Sequence, residues 1–294
     1  MGKKKIVLTG AHSYLGQKVV EHLQKRGDVE LLGVVSPWGN QESLVAGESV
    51  AYTRADLTQT LPDDLASAIR DADLVLQFAW KRGGTEDGIL ATNRSILDNV
   101  KGHIGEPEKL VFISSVAASP ETLSGYGRVK YRLATELAAW GAVILVTGLI
   151  VDKEPRGPYA LLTKVVSKFP FGVRFKGKPV SVYPITTDDF LRVIDILIDK
   201  PLDSGAYRVF GSKPVDLNDM LGAIEAKFDR EGIKLPVPYG LSLAGVKLLS
   251  RMPLFPSSLW EKLLTFLYKD EEYLSQHATI PDSSFLDKEI EKLI

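Results

Sequence analysis

Short, continuously apolar runs recur through the first half of this chain, each followed by a segment of helical periodicity, and that alternation admits few folds. The runs occupy residues 6–9, 31–35, 50–53, 74–79, 110–114 and 143–146. They lack the apolar-polar alternation of a half-solvated strand, so both faces of each are expected to be buried. Helical patterns fall between them, at 15–25, 65–69, 86–101 and 126–140. In the first, Leu15, Val19, Val20 and Leu23 share one face. The second is opened by Pro62-Asp63-Asp64, with proline and acids where a helix's first turn favours them. Strands of this kind alternating with helices predict an α/β fold, a doubly wound parallel sheet covered on both sides.

The rhythm loosens after residue 150. Pro155, Pro158 and Pro170 punctuate the chain, and 164–178 is basic. Residues 1–152 are therefore expected to form one domain and 153–294 a smaller, mostly helical region. Within that region 181–211 is expected to add elements back to the first domain: a strand at 181–185, a capping box from Thr186 to Asp189, a helix at 190–198 and a strand at 207–210. Residues 239–268 are apolar but interrupted by Lys247, Arg251, Glu261 and Lys262. They read as two amphipathic helices, broken near Pro253 and Pro256, that pack in a core or at a domain interface.

The composition excludes several classes of function. A net charge of −1 supplies no field for nucleic acid or an anionic membrane, so neither is expected as a partner. The absence of cysteine removes disulfides, thiolate chemistry and cysteine-ligated metals. The four histidines, at 12, 22, 103 and 277, have no i, i+4 spacing, and no metal site is expected. The apolar run after Met1-Gly2-Lys3-Lys4-Lys5 is too short for a signal peptide, and Ile6 stands where a myristoylation signal needs Ser or Thr. No stretch is long enough to span a bilayer, and a cytoplasmic location is expected.

The first strand runs through Thr9-Gly10-Ala11-His12-Ser13-Tyr14-Leu15-Gly16 into the first helix. A strand–turn–helix of this kind brings backbone N–H groups to a helix N-terminus, where they bind an anion such as a pyrophosphate if no side chain intervenes. Gly10 suits the tight turn, and Gly16 lets the helix pack on the sheet. Ser13 adds a Cβ where the backbone would otherwise approach the phosphate, and a hydroxyl able to donate to it. After the second strand stands Val35-Ser36-Pro37-Trp38, with neither an acid for a ribose hydroxyl nor an arginine for a 2′-phosphate. Without a carboxylate to repel a phosphate, NADP is favoured over NAD.

Further on, Tyr126-Gly127-Arg128-Val129-Lys130 places a phenol and an ammonium one helical turn apart on the same face. A nearby cation favours the phenolate over the phenol, which suits proton transfer beside a hydride transfer. Ser114-Ser115 ends the fifth strand, where a hydroxyl would hold a substrate oxygen. Taken singly, each piece has an ordinary structural role as a strand end, a cap or a solvated lysine. Their order and spacing carry the reading.

Together the Thr9-Gly10 turn, Ser114-Ser115 and Tyr126-x-x-x-Lys130 resemble the extended short-chain dehydrogenase/reductases, the NAD-dependent epimerase/dehydratase kind, over residues 4–151 and more loosely over 184–211. The resemblance implies a Rossmann-type dinucleotide-binding domain at 1–152 and a substrate-binding region at 153–294. It implies Ser115, Tyr126 and Lys130 as catalytic residues: Ser115 positions the substrate oxygen, Tyr126 is the acid/base, and Lys130 also binds the nicotinamide ribose. The NAD(P)-binding set it implies is Thr9, Gly10, Ser13, Tyr14, Leu15, Gly16, Ser36, Asp56, Leu57, Phe78, Ala79, Asn93, Ser114 and Lys130. Asp56-Leu57 matches the family's adenine-contacting element, Phe78-Ala79 the end of the fourth strand, and Asn93 the helix asparagine that supports the active site. A nucleotide sugar is the small-molecule substrate the resemblance favours, and a homodimer through 86–101 and 126–140 is the expected assembly.

The chain departs from the family pattern at several points. Ser13 replaces the middle glycine, the interval from Ser115 to Tyr126 is short, and Val146-Thr147 stands where the family has Arg-Pro. Val182 lies where nucleotide-sugar members carry an arginine, leaving Arg174, Lys176 and Lys178 as substitutes or as a solvated basic loop. Asp189 falls on a family aspartate, and helix capping explains it equally. Two alternatives remain: a dinucleotide-binding sensor or assembly protein without catalysis, and an enzyme for a hydrophobic alcohol or ketone roofed by 241–268.

Overall fold

Buried, continuously apolar segments form the central strands. In the computed structural model, which describes residues 2–38, 47, 49–168, 171–229, 233–240, 264–265 and 267–287, Ile6, Val7 and Leu8 in β1 (Lys4–Thr9) are each at most 2% exposed. The chain continues through α1 (Tyr14–Leu23), β2 (Val29–Val35), β3 (Val50–Arg54), α2 (Asp63–Arg70), β4 (Leu74–Gln77), α3 (Glu86–Lys101), β5 (Leu110–Ser115), α4 (Gly125–Trp140) and β6 (Val143–Thr147). After these come β7 (Leu149–Val151), α5 (Gly157–Lys168), β8 (Phe171–Lys176), β9 (Ser181–Val182), β10 (Pro184–Thr186) and α6 (Thr187–Asp199). The remaining main elements are β11 (Gly205–Val209), β12 (Val215–Asp216), α7 (Leu217–Lys227), β13 (Ile233–Pro238) and β14 (Ala278–Thr279).

The main sheet has eight strands in the order β14-β11-β6-β5-β4-β1-β2-β3. The pairings β3–β2, β2–β1, β1–β4 and β4–β5 are all parallel. The expected doubly wound α/β sheet is therefore present. The chain winds outward from β1 to β3, then returns to β4 on the other side of β1. Such a reversal opens a crevice at the carboxyl ends of the strands. Here Thr9 pairs with Gln77, so the ends of β1 and β4 lie side by side.

Two units compose the chain. The first comprises Met1–Ser114, Arg132–Leu145 and Phe190–Tyr207. Its helices bury one face each, as with Gly16, Val19, Val20 and Leu23 of α1. Burying a Val or Leu side chain contributes about 1.5–3 kcal/mol, so these stripes fix how the helices lie. Arg26, just past α1, reaches Asp28, Asp195 and Asp199 at 2.6–3.0 Å and ties α1 to α6.

The second unit comprises Ser115–Tyr131, Val146–Asp189 and Arg208–Ile294. Its core gathers Val151, Tyr159, Leu162, Val180, Val182, Leu217, Met220, Leu221 and Ile224. The parallel pair β8–β13 is an addition to the expected elements. Pro236 and Pro238 argue against a strand at β13, yet among the described residues it pairs with β8 alone, and an edge strand tolerates proline. The strand expected at 181–185 is two: β9 runs antiparallel to β12 and β10 parallel to β7. The break comes at Tyr183, whose carbonyl accepts from Leu149 N–H at 2.7 Å, and Pro184 then offers no N–H. The strand expected at 74–79 stops at Gln77, because the Phe78 and Ala79 N–H groups turn to the Thr9 hydroxyl. The two helices expected at 239–268 fall almost wholly outside the described residues. Among the described residues no helix is long and apolar enough to cross a membrane.

Candidate active site

At the crevice between β1 and β4, one side chain joins the two strand ends. Thr9 Oγ1 accepts from the N–H groups of Phe78 and Ala79, each at 3.1 Å, and donates to Gln77 Oε1 at 2.9 Å. Gln77 Nε2 then donates to the Ala79 carbonyl at 3.0 Å. Thr9 and Gln77 are at most 1% exposed, so this network is enclosed and its groups are matched. Gly10 follows with φ +68°, and a Cβ there would lie 2.7 Å from the backbone nitrogen of Ala79. Both its conformation and this close approach require glycine. A Cβ on Gly16 would lie 2.4 Å from the Gly10 carbonyl oxygen, which closes the turn.

Ser13 is the N-cap of α1. Its Oγ accepts from Gly16 N–H at 3.1 Å, and its carbonyl accepts from Gln17 N–H. The departure from glycine thus has a local cause, since serine at this position satisfies a first-turn donor. Tyr14 and Leu15 are the first two residues of the helix, the part whose N–H groups face an anion. His12, in the same turn, buries Nδ1 with no hydrogen-bond partner among the described residues, and burial holds its pKa below the ordinary imidazole value.

The other expected cofactor residues sit around this edge in different circumstances. Ser36 follows β2, and its Oγ accepts from Trp38 N–H at 3.3 Å. Asp56 has turned one carboxylate oxygen to Thr58, accepting from its N–H at 3.0 Å and its hydroxyl at 2.7 Å. Leu57 is buried in the core, and its carbonyl accepts from Asn99. Asn93, 1% exposed, binds the loop after β4: its Oδ1 accepts from Lys81 N–H at 2.8 Å and its Nδ2 donates to the Lys81 carbonyl at 3.0 Å.

In the second unit, Ser115 opens a tight turn. Its Oγ accepts from Ala117 N–H at 3.2 Å, and its carbonyl accepts from Ala118 N–H at 2.8 Å. A second turn at Ser119–Thr122 follows, and Ser124 caps Gly127 N–H at 2.9 Å. These two turns account for the short interval to Tyr126. Gly127 lies so close to the first of them that a Cβ would stand 2.2 Å from the Ala117 carbonyl oxygen. Backbone contact therefore draws the first turn of α4, with Tyr126, against the turn that Ser115 begins. Lys130, one helical turn on, is 6% exposed. Sequence reasoning missed Gly127 and Gln77. A glycine inside a helical pattern and a lone polar residue inside an apolar run were the available signals.

Val182, which stands where the family pattern has an arginine, is 1% exposed in the core, and Arg174, one of its candidate substitutes, forks onto Glu225, bonding Oε1 at 3.0 Å and also Oε2. Thr186 and Asp189 form the expected capping pair at the start of α6, with Asp189 N–H donating to Thr186 Oγ1 at 3.0 Å.

One observation at the crevice fits a bound group such as a dinucleotide: Ser114 Oγ, in a residue 4% exposed at the end of β5, has no partner among the described residues. No family model and no curated protein matches the sequence. Solved structures do. A nucleoside-diphosphate-sugar epimerase from Staphylococcus aureus is 16% identical, with a TM-score of 0.65 over 98% of this chain and 100% of that one. The Bordetella bronchiseptica enzyme WbmG in complex with NAD and UDP is 15% identical, with a TM-score of 0.62 over 81% of this chain and 83% of that one. UDP-N-acetylglucosamine 4-epimerase from Bacillus cereus is 15% identical, with a TM-score of 0.60 over 90% and 99%. The chain has the fold of the extended short-chain dehydrogenase/reductases of the NAD-dependent epimerase/dehydratase kind.

Proposed function

We propose that this chain is an NAD(P)-dependent oxidoreductase or epimerase/dehydratase acting on a sugar-type alcohol or carbonyl, with a nucleotide sugar as the favoured substrate. The observation that carries the reading is the Gly127–Ala117 contact, which sets Tyr126 beside the turn begun by Ser115. The names of the similar structures, which include a nucleoside-diphosphate-sugar epimerase and an enzyme bound to NAD and UDP, support the substrate class.

In this reading Thr9, Gly10, Ser13, Tyr14, Leu15 and Gly16 hold the pyrophosphate, and the bound dinucleotide supplies the hydride acceptor or donor. Ser115 holds the substrate oxygen through its hydroxyl. Tyr126 takes the proton from that oxygen, or returns it, at its phenolic Oη. Lys130 brings a positive charge one helical turn away, which favours the phenolate. NADP is preferred to NAD because Val35-Ser36-Pro37-Trp38, at the end of β2, carries no carboxylate. Residues 153–294 form the substrate-binding region, with 181–211 adding elements back to the first domain, a homodimer through α3 and α4 is the assembly, and the cytoplasm is the location.

The test incubates purified protein with NAD(H) or NADP(H) and a panel of nucleotide sugars, following nicotinamide absorbance and product interconversion. Turnover lost in Tyr126→Phe, with cofactor binding retained, is the expected result. Full activity in that variant would sink the mechanism. Tight dinucleotide binding with no turnover on any alcohol or carbonyl would favour the second reading, a binding protein without catalysis. Ser13 favours that reading, because it occupies a donor the pyrophosphate would otherwise use.

A further inference from the structure

We propose that Arg54 selects the cofactor's 2′ group, its guanidinium and the Ser36 hydroxyl binding the 2′-phosphate of NADP(H) while Trp38 covers the adenine. This rests on the dinucleotide reading above and supplies the cation that the segment after β2 lacks. The sheet register brings it there. Arg54, the last residue of β3, pairs with Val35, the last residue of β2, and Ala55 N–H donates to the Val35 carbonyl at 3.1 Å. The Arg54 side chain then crosses to the Ser36-Pro37-Trp38 turn, where Nη1 donates to the Pro37 carbonyl at 3.1 Å.

That bond uses one of five guanidinium donors. Arg54 is exposed, and no described carboxylate forms an ion pair with it. The nearest acid in the chain, Asp56, has turned a carboxylate oxygen to Thr58. Ser36 Oγ already accepts from Trp38 N–H, so its own proton is left to donate to a phosphate oxygen. Trp38 is 79% exposed, the most exposed large apolar side chain among those described. An indole so placed suits a flat base, and base–aromatic stacking is insensitive to which base it is. The turn thus holds a planar face, a hydroxyl donor and a fixed guanidinium, and none of Ser36, Pro37 and Trp38 is an acid. Arginine matches phosphate geometry with paired donors.

The experiment compares 2′,5′-ADP with 5′-AMP by calorimetry, then NADPH with NADH, on the full chain. The wild type is expected to bind the 2′-phosphorylated member of each pair on the order of 10- to 100-fold more tightly, the range of one charge-assisted bond. Arg54→Ala is expected to abolish that preference while leaving 5′-AMP affinity and melting temperature unchanged, and Arg54→Lys to restore part of it. Trp38→Ala is expected to weaken all four ligands alike. Equal binding of both members by the wild type, or a preference that survives Arg54→Ala, would overturn the assignment while leaving dinucleotide binding standing. No binding of any of the four ligands would overturn the cofactor reading itself, and this inference with it.

Discussion

A Cβ on Gly127 would stand 2.2 Å from the carbonyl oxygen of Ala117 and 2.4 Å from Thr122 Oγ1. The first turn of α4 therefore rests directly on the loop that follows Ser115. Alanine ordinarily stabilises a helix relative to glycine by about 1 kcal/mol. Gly127→Ala is expected to do the opposite, lowering the melting temperature because neither backbone has room to give. Moving Tyr126 by even ~1 Å is expected to cost on the order of 100-fold in turnover. Thermal denaturation and kcat measured on the same preparation check both. A variant that is more stable and fully active would show that the contact positions nothing.

The Thr9 hydroxyl joins the N–H groups of Phe78 and Ala79 to the Gln77 side chain. Thr9→Val keeps the shape and removes the hydroxyl. It leaves buried donors and an acceptor unmatched, at a cost on the order of 2–4 kcal/mol. Thr9→Ser retains the hydroxyl and is expected to recover most of that loss. Urea denaturation of the two variants against the wild type measures it, and a Thr9→Val variant as stable as the wild type would show that the hydroxyl's bonds contribute nothing.

The parallel sheet was legible because strands buried on both faces read as unbroken apolar runs, and each of the six expected in the first half is present, although β3, at the end of the sheet, is only partly buried. Short elements were less legible. Phe171–Lys176 carries its basic residues among apolar ones, and Ile233–Pro238 contains two prolines, so neither reads as a strand until its partner is known. In the site, residue types in order pointed to Thr9-Gly10 and to Ser115, Tyr126 and Lys130. What position alone could not reveal was the use each polar group makes of its neighbours. Ser13 caps Gly16, Asp56 turns to Thr58, and Arg174 turns to Glu225. Arg54 escaped notice for a related reason: it is distant in sequence from Ser36, and only the β2–β3 register brings them together.

Burial holds the His12 imidazole below its ordinary pKa. The unfolded chain takes up its proton near pH ~6.5, while the folded turn resists it until the pH is lower. Between those two points the unfolded state binds more protons, so stability falls as the pH drops and levels off once the folded pKa is passed. His12→Gln removes this contribution. The fall in melting temperature between neutral and mildly acid buffer is therefore expected to be smaller in the variant. An unchanged fall would mean that other groups carry the acid sensitivity.

Ser13→Gly separates two roles that one side chain now holds. The Ser13 Oγ accepts from Gly16 N–H at 3.1 Å, so the serine stabilises the helix while occupying a donor at the end proposed to bind the pyrophosphate. Replacing a serine cap with glycine costs only a few tenths of a kcal/mol, so the melting temperature is expected to drop slightly. The substitution also releases Gly16 N–H and removes a Cβ from the turn. One more hydrogen bond to a charged acceptor is worth about 1.5 kcal/mol, so dinucleotide affinity is expected to rise on the order of tenfold. Ser13→Ala, which releases the donor but keeps the Cβ, is expected to gain less. Calorimetric titration of the three proteins decides the matter. If both variants bind more weakly than the wild type, the hydroxyl itself donates to the phosphate, and serine here is a phosphate ligand as well as a cap.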